Sequence, residues 1–242
     1  LSSSGSMEKG LSLKANLDFD KYESWAIKLN QAEAKDHKAQ PMMLNIAWQG
    51  IDRAVPYIGW LSSAEGHTDV TLKEGQQDIY VSTKVRPHEK TLLPTGQYNA
   101  RFDVKGDLLD VERFHYQAEK GSLTGQAKVK LPNEKQQLAW QAQLQAQNFN
   151  PQTVVATAPV NLLNGQIKAT GFAKPNQQII QFDQIDLKGQ LAQAGKTETV
   201  ALKGKSTAAL IFHDQKAGGG FKSFTVDYNG SLNALNQGNG LL

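Results

Sequence analysis

Apolar residues recur at every second position along most of this chain. The stretch LSLKANLDF places Leu11, Leu13, Ala15, Leu17 and Phe19 on one face, MMLNIAW places Met42, Leu44, Ile46 and Trp48, and YNARFDV places Tyr98, Ala100, Phe102 and Val104. SLTGQAKVKL gives Leu123, Gly125, Ala127, Val129 and Leu131, and LAWQAQLQAQ gives Leu138, Trp140, Ala142, Leu144 and Ala146. Lys, Gln, Asn, Asp and Thr fill the positions between. Successive side chains of a strand point to opposite faces, so period two with one wet face predicts antiparallel-type strands. Strands of about ten residues are longer than the usual five or six.

Turn signals separate the runs: Glu74-Gly75, Lys105-Gly106-Asp107, Lys120-Gly121, Pro132-Asn133, Lys174-Pro175-Asn176 and Gly218-Gly219-Gly220. Their spacing suits hairpins and meanders. The alternation breaks over residues 52–61, where Val55, Ile58 and Leu61 recur at spacing three with Pro56 in the first turns, which predicts one short helix. A weak repeat is visible as well. GQYNARFDVKGDLLDVERFHY (96–116) and GQIKATGFAKPNQQIIQFDQI (165–185) both open Gly-Gln, run through a strand, turn and return with Phe, at a phase of about 69 residues. A repeated β-unit that cannot bury its face alone implies stacking of units.

Composition narrows the class. The 242 residues are 39% hydrophobic and 20% charged, which suits a folded chain that makes one large all-β domain or two ordinary ones. The net charge of +3 arises from 26 basic and 23 acidic residues spread along the chain, without the Lys/Arg runs of a nucleic-acid binder. The absence of Cys excludes disulfides and thiolate metal sites and fits either redox compartment. No apolar run approaches the eighteen or so residues that span a bilayer. The opening LSSSGS, residues 1–6, reads as an expression scar, and GNGLL at the end reads as the start of another strand. Residues 7–242 are therefore expected to be one elongated, repetitive β-domain cut from a longer chain.

Motifs for chemistry are few. GQLAQAGKT (189–197) comes within one residue of a phosphate-binding loop, but Gln190 stands where its first Gly belongs. Upstream, Ile185, Leu187, Gly189 and Leu191 alternate with Asp186, Lys188 and Gln190, and a strand-like stretch follows, so the segment reads as a hairpin without nucleotide. Gly204-Lys205-Ser206 fails because Thr199 occupies the place of its leading Gly. GSLTG (121–125) has its Ser in the wrong place for a nucleophile elbow. His37, His67, His88, His115 and His213 are each isolated, without metal-ligand spacing. Turn chemistry and a solvated strand face account for the acidic run of Asp103, Asp107, Asp110 and Glu112. The pattern points to no enzyme, no cofactor and no metal. Trp25, Trp48, Trp60 and Trp140 suit a carbohydrate platform or a membrane belt in principle, but three of them fall on apolar alternating faces, which favours core or groove lining.

The residues also carry a family resemblance. From 121 to 171 the chain runs through a Gly121-x-Leu123-x-Gly125 strand and a strand bearing Trp140 and Leu144. A Phe149-Asn150-Pro151 corner, Pro159 and a Leu163-x-Gly165-x-Ile167 strand ending at Gly171 follow. This stretch resembles the TamB family of AsmA-like, bridge-shaped envelope proteins, and AWQGIDRAVPYIGWLSSAEGHTDVTL (47–72) is similar to the family in its Trp, its expected short helix and its Gly-led return strand. The resemblance covers most of the chain from about residue 40. It implies an elongated U-shaped antiparallel sheet, the β-taco, with an apolar concave groove. It also implies a periplasmic location, an inner-membrane anchor and an outer-membrane barrel partner met through regions outside this chain. Roles in phospholipid transport and outer-membrane biogenesis come with it.

The alternating pattern leads to a groove on its own terms, because a sheet with one apolar face must be covered, must close, or must present that face to an apolar ligand. The expected groove lining is Leu44, Ile46, Trp48, Tyr98, Phe102, Val104, Leu123, Val129, Leu131, Leu138, Trp140, Leu144 and Ile167, and the expected ligand is the acyl chain of a phospholipid. Two other readings stand beside it. One is a scaffold or chaperone whose open strand edges pair with strands of outer-membrane barrel proteins, with end-to-end self-association of the chain as a corollary. The other is a closed β-sandwich or barrel that binds carbohydrate through its tryptophans.

Overall fold

A computed structural model of the chain describes residues 2–6, 10–19, 22–33, 40–55, 59–87, 93–133, 137–153, 160–174, 177–193, 196–215 and 221–236. The chain divides into two compact units, Leu1–Gly106 with Val111–Glu119, and Asp107–Asp110 with Lys120–Leu242.

The first unit runs β1 (Ser2–Ser6), β2 (Gly10–Asp18), β3 (Ser24–Gln31), β4 (Met42–Val55), β5 (Gly59–Lys73), β6 (Gln76–Val85) and β7 (Gly96–Lys105). It also holds most of β8 (Leu108–Gln117), whose first residues fall in the second unit. Each strand from β1 to β7 pairs antiparallel with the next. The second unit runs β9 (Ser122–Lys130), β10 (Ala139–Phe149), a 3-10 turn at Pro151–Thr153, β11 (Val160–Lys174), β12 (Gln177–Gln193), β13 (Lys196–Gln215) and β14 (Phe221–Asn236). It too is an antiparallel meander.

The period-two pattern is the physical cause of this arrangement. In β4, Met42, Leu44, Ile46 and Trp48 are half-buried, whereas Met43, Asn45, Ala47 and Gln49 are exposed. Tight turns close hairpins where sequence signals them: Gly75 has φ +70° between β5 and β6, in the region that hairpin turns require and that glycine adopts at low cost. Among the described residues, strands pack only against the strands consecutive with them in sequence, and the 3-10 turn packs against β11. Each unit is thus a single layer, with no second sheet or helix laid over either face among those residues.

The all-β, long-stranded antiparallel fold expected from sequence is the fold observed. The helix expected at 52–61 is not. Asp52 to Val55 end β4 and Gly59 to Leu61 begin β5, paired as Arg53 with Leu61 and Ala54 with Trp60, while Pro56, Tyr57 and Ile58 lie outside the described residues. A ten-residue helix has little stability of its own, since nucleation costs more than a few turns return, and here the backbone groups find partners in the ladder instead. Spacing three also arises where alternation breaks. Gly50, at φ +71°, and a register shift in β5 between Ser63 and Glu65 mark that break. Beside it a cross-strand row of Ile51, Ser63 and Val85 is deeply buried, at 4, 0 and 2% exposure. In the second unit burial gathers at Ala146, Phe149, Ala169, Ile185 and Ala201.

Candidate functional site

In an antiparallel pair, directly opposed residues share a face, so the register settles which expected groove residues stand together. In the first unit one row runs Leu13, Leu29, Leu44, Val70, Ile79, Phe102, and the next runs Ala15, Ile27, Ile46, Thr68, Val81, Ala100. A third runs Leu17, Trp25, Trp48, Gly66, Thr83, Tyr98. Val104 lies on the same face, in the row of Met42, Leu72 and Gln77. Leu44, Ile46, Trp48, Tyr98, Phe102 and Val104 are therefore brought onto one surface, and Tyr98 is the only ionisable residue in the first three rows. Burial, and then the neighbouring Tyr116, pushes the Tyr98 phenol above its ordinary range, so it stays neutral. Its hydroxyl donates to the Pro94 carbonyl at 2.6 Å, and its ring lies 4.6 Å from that of Tyr116.

The second unit repeats the device. Its rows are Val129, Trp140, Gly171, Ile180; Ala127, Ala142, Ala169, Phe182; Gly125, Leu144, Ile167, Ile185; and Leu123, Ala146, Gly165, Leu187. Leu123, Val129, Trp140, Leu144 and Ile167 thus share a surface. Leu131 and Leu138 fall outside the strands. Leu131 follows β9, is 39% exposed and donates its backbone N–H to Asp107, while Leu138 precedes β10 and accepts from the Ala173 N–H at 2.9 Å.

Sequence reading missed other members of the same face. Ile27, Leu29, Val70, Ile79 and Val81 alternate in β3, β5 and β6, and that signal was available. For β12 it was not: a bulge between Phe182 and Ile185 resets the alternation, so that Ile180, Phe182, Ile185 and Leu187 all face one way although their spacing is irregular.

The opposite face is polar. Arg101 pairs with Asp78 at 2.6 Å and with Glu112 at 3.3 Å, Lys128 with Asp110 at 3.2 Å and Lys203 with Asp186 at 3.6 Å. Such exposed pairs add little stability each but keep this side wet. Clefts open here among the described residues. One of about 850 Å³ follows the row Asn16, Ala26, Ala47, His67, Ser82, and one of about 480 Å³ lies over Gln126, Gln143, Lys168, Lys128 and Gln141. At the end of the tryptophan row, buried Glu23 accepts from Trp25 Nε1 at 2.7 Å and pairs with Arg53, whose guanidinium stacks over the Phe19 ring at 5.0 Å.

Among the described residues no three His, Asp or Glu side chains gather where a metal ion could be held, and no helix is long and apolar enough to cross a membrane. His37 and His88 lie outside the described residues. The GQLAQAGKT segment is a hairpin in which Gln193 of β12 opposes Lys196 of β13. Lys196 and Thr197 are therefore strand residues, whereas a phosphate loop needs that Lys and Thr to open a helix. Mg-ATP should leave the melting temperature unchanged in a thermal-shift titration. A ligand at a hundred times its Kd would add about 2.7 kcal/mol of stability, so a clear upward shift would overturn the hairpin assignment.

Comparison with known proteins places the chain in a family. The family model described as "TamB, N-terminal domain" matches residues 2–214. Searches of curated proteins and of solved structures returned no match. The chain belongs to the TamB family, bridge-like envelope proteins of transport and outer-membrane assembly.

Proposed function

We propose that the apolar face carries the acyl chains of phospholipid between the inner and outer membranes across the periplasm. The observation that supports this most is the continuity of the uncharged rows from β2 to β7 and from β9 to β12 in units that have no covering layer among the described residues. Exposing a methylene to water costs about 0.8 kcal/mol, so a chain of roughly fifteen costs on the order of 12 kcal/mol outside an apolar surface. Rows without formal charge remove most of that barrier and hold no fixed partner for a headgroup, which suits passage along the surface more than capture at one point.

The test uses neighbouring positions of β10. Leu144 stands on the apolar face at 45% exposure, opposite Gly125 and Ile167, whereas Gln143 stands on the polar face opposite Gln126 and Lys168. A photocrosslinking residue at Leu144 in the intact protein should capture phospholipid in cells, and the same residue at Gln143 should not. Equal capture at both positions, or capture of polypeptide alone at Leu144, would overturn the lipid reading.

A further inference from the structure

Trp48 and Trp140 lie in different units, yet each is laid across a glycine of the next strand in the same way. A Cβ built on Gly66 would stand 2.3 Å from Cε2 and from Cζ2 and 2.5 Å from Nε1 of Trp48. A Cβ built on Gly171 would stand 2.3, 2.4 and 2.5 Å from the same atoms of Trp140. Non-bonded carbons settle at about 3.5–4.0 Å, so each indole rests where any other residue would place its side chain. At Trp48 the pose is further fixed: Nε1 donates to Ser63 Oγ at 3.2 Å, and the wholly buried Ser63 is itself held by Thr83 Oγ1 at 2.8 Å.

A ring over a strand glycine shields bare backbone, and sheets use that contact for stability. Here both rings lie in the middle of the uncharged rows, with Leu17, Trp25, Thr83 and Tyr98 beside Trp48 and with Val129 and Ile180 beside Trp140. An indole standing off the sheet at either place would project into whatever passes over the face.

We propose that Gly66 and Gly171 set the clearance above the apolar face by holding Trp48 and Trp140 flat, so that an acyl chain slides over each indole. This rests on the lipid reading above and adds to it two positioning residues that touch no lipid themselves.

The experiment measures phospholipid captured by a photocrosslinking residue at Leu144 in the intact protein, with Gly171→Ala, Trp140→Ala and the double variant, each matched for expression and β-content. Gly171→Ala should lower capture about tenfold, the equivalent of about two methylenes left in water. Trp140→Ala alone takes away part of the apolar surface and should lower capture by less than Gly171→Ala does, and adding Trp140→Ala to Gly171→Ala should raise capture to the level of Trp140→Ala alone. A purely structural glycine leaves capture per folded molecule in Gly171→Ala at the parent level, and that result, or a double variant no better than Gly171→Ala, overturns the proposal while capture in the parent leaves the lipid reading standing. If Gly171→Ala fails to fold, the Gly66 and Trp48 pair, read at Leu44, gives the same comparison. Absence of capture in the parent itself would sink both.

Discussion

Gly165→Ala will destabilise the second unit by about 3 kcal/mol or more, the sum of backbone strain and overpacking. Gly165 sits inside β11 at φ +123°, a conformation that costs an L-residue dearly, and a Cβ there would lie 2.0 Å from the Asp186 carbonyl oxygen and 3.0 Å from Leu187 Cα. Those atoms are backbone in the adjoining strand, so relief requires the β11–β12 ladder to move. Gly75→Ala separates the two contributions. Its φ of +70° is also positive, but nothing stands within 4 Å of its Cβ, so only the conformational cost of about 1 kcal/mol applies. Urea midpoints at constant m should show the larger loss for Gly165→Ala by a clear margin. Equal losses would mean that the close approach to Asp186 is absent.

The same glycine shows what the sequence could and could not convey. The internal repeat pairs Gly96 with Gly165 at its phase of about 69 residues, and the same phase relates Gln117 to Asp186. A Cβ on Gly96 would meet the Gln117 carbonyl oxygen at 2.4 Å, as one on Gly165 meets that of Asp186. The repeat is thus a repeat of one close strand crossing, visible in sequence as two Gly-Gln openings whose reason was not. Period two located β2, β7 and β9, which keep their alternation from end to end, and β4 and β10 as far as Gly50 and Ala146, where each departs from it. It failed where the backbone departs from the pleat. Near Gly50 a broken alternation imitated helical spacing, and in β12 the bulge after Phe182 concealed that four irregularly spaced apolar residues share a face. Leu131 and Leu138 kept the right parity but lie beyond the ladder, since alternation does not say where pairing stops. Trp48 and Trp140 were legible as members of the apolar face. That each covers a glycine was not, because the partner lies 18 residues away in one unit and 31 in the other.

The second large effect is functional. Leu144→Arg will cut phospholipid transport by the intact protein at least about tenfold, because a charge in an apolar setting without a partner costs several kcal/mol. Leu144 stands between Gly125 and Ile167, with Ile185 next in the row, and its Cδ2 covers Gly125 closely enough that a Cβ there would come within 2.7 Å. None of these residues offers a guanidinium a hydrogen-bond acceptor in its side chain. The Arg side chain will therefore extend along the sheet toward water, keeping its stem on the apolar surface and its charge across the path. Because Leu144 is already 45% exposed, the fold loses little packing and expression should be normal. Gln143→Arg is the matched control: it adds the same charge one residue away, on the face that carries Gln126 and Lys168, at a cost of tenths of a kcal/mol from like-charge proximity. Transfer of labelled phospholipid between the two membranes, normalised to folded protein, should fall steeply for Leu144→Arg and stay within about twofold of the parent for Gln143→Arg. Equal impairment by the two, with both proteins folded, would show that transport does not distinguish the faces of β10 and would remove the basis for assigning lipid to the apolar one.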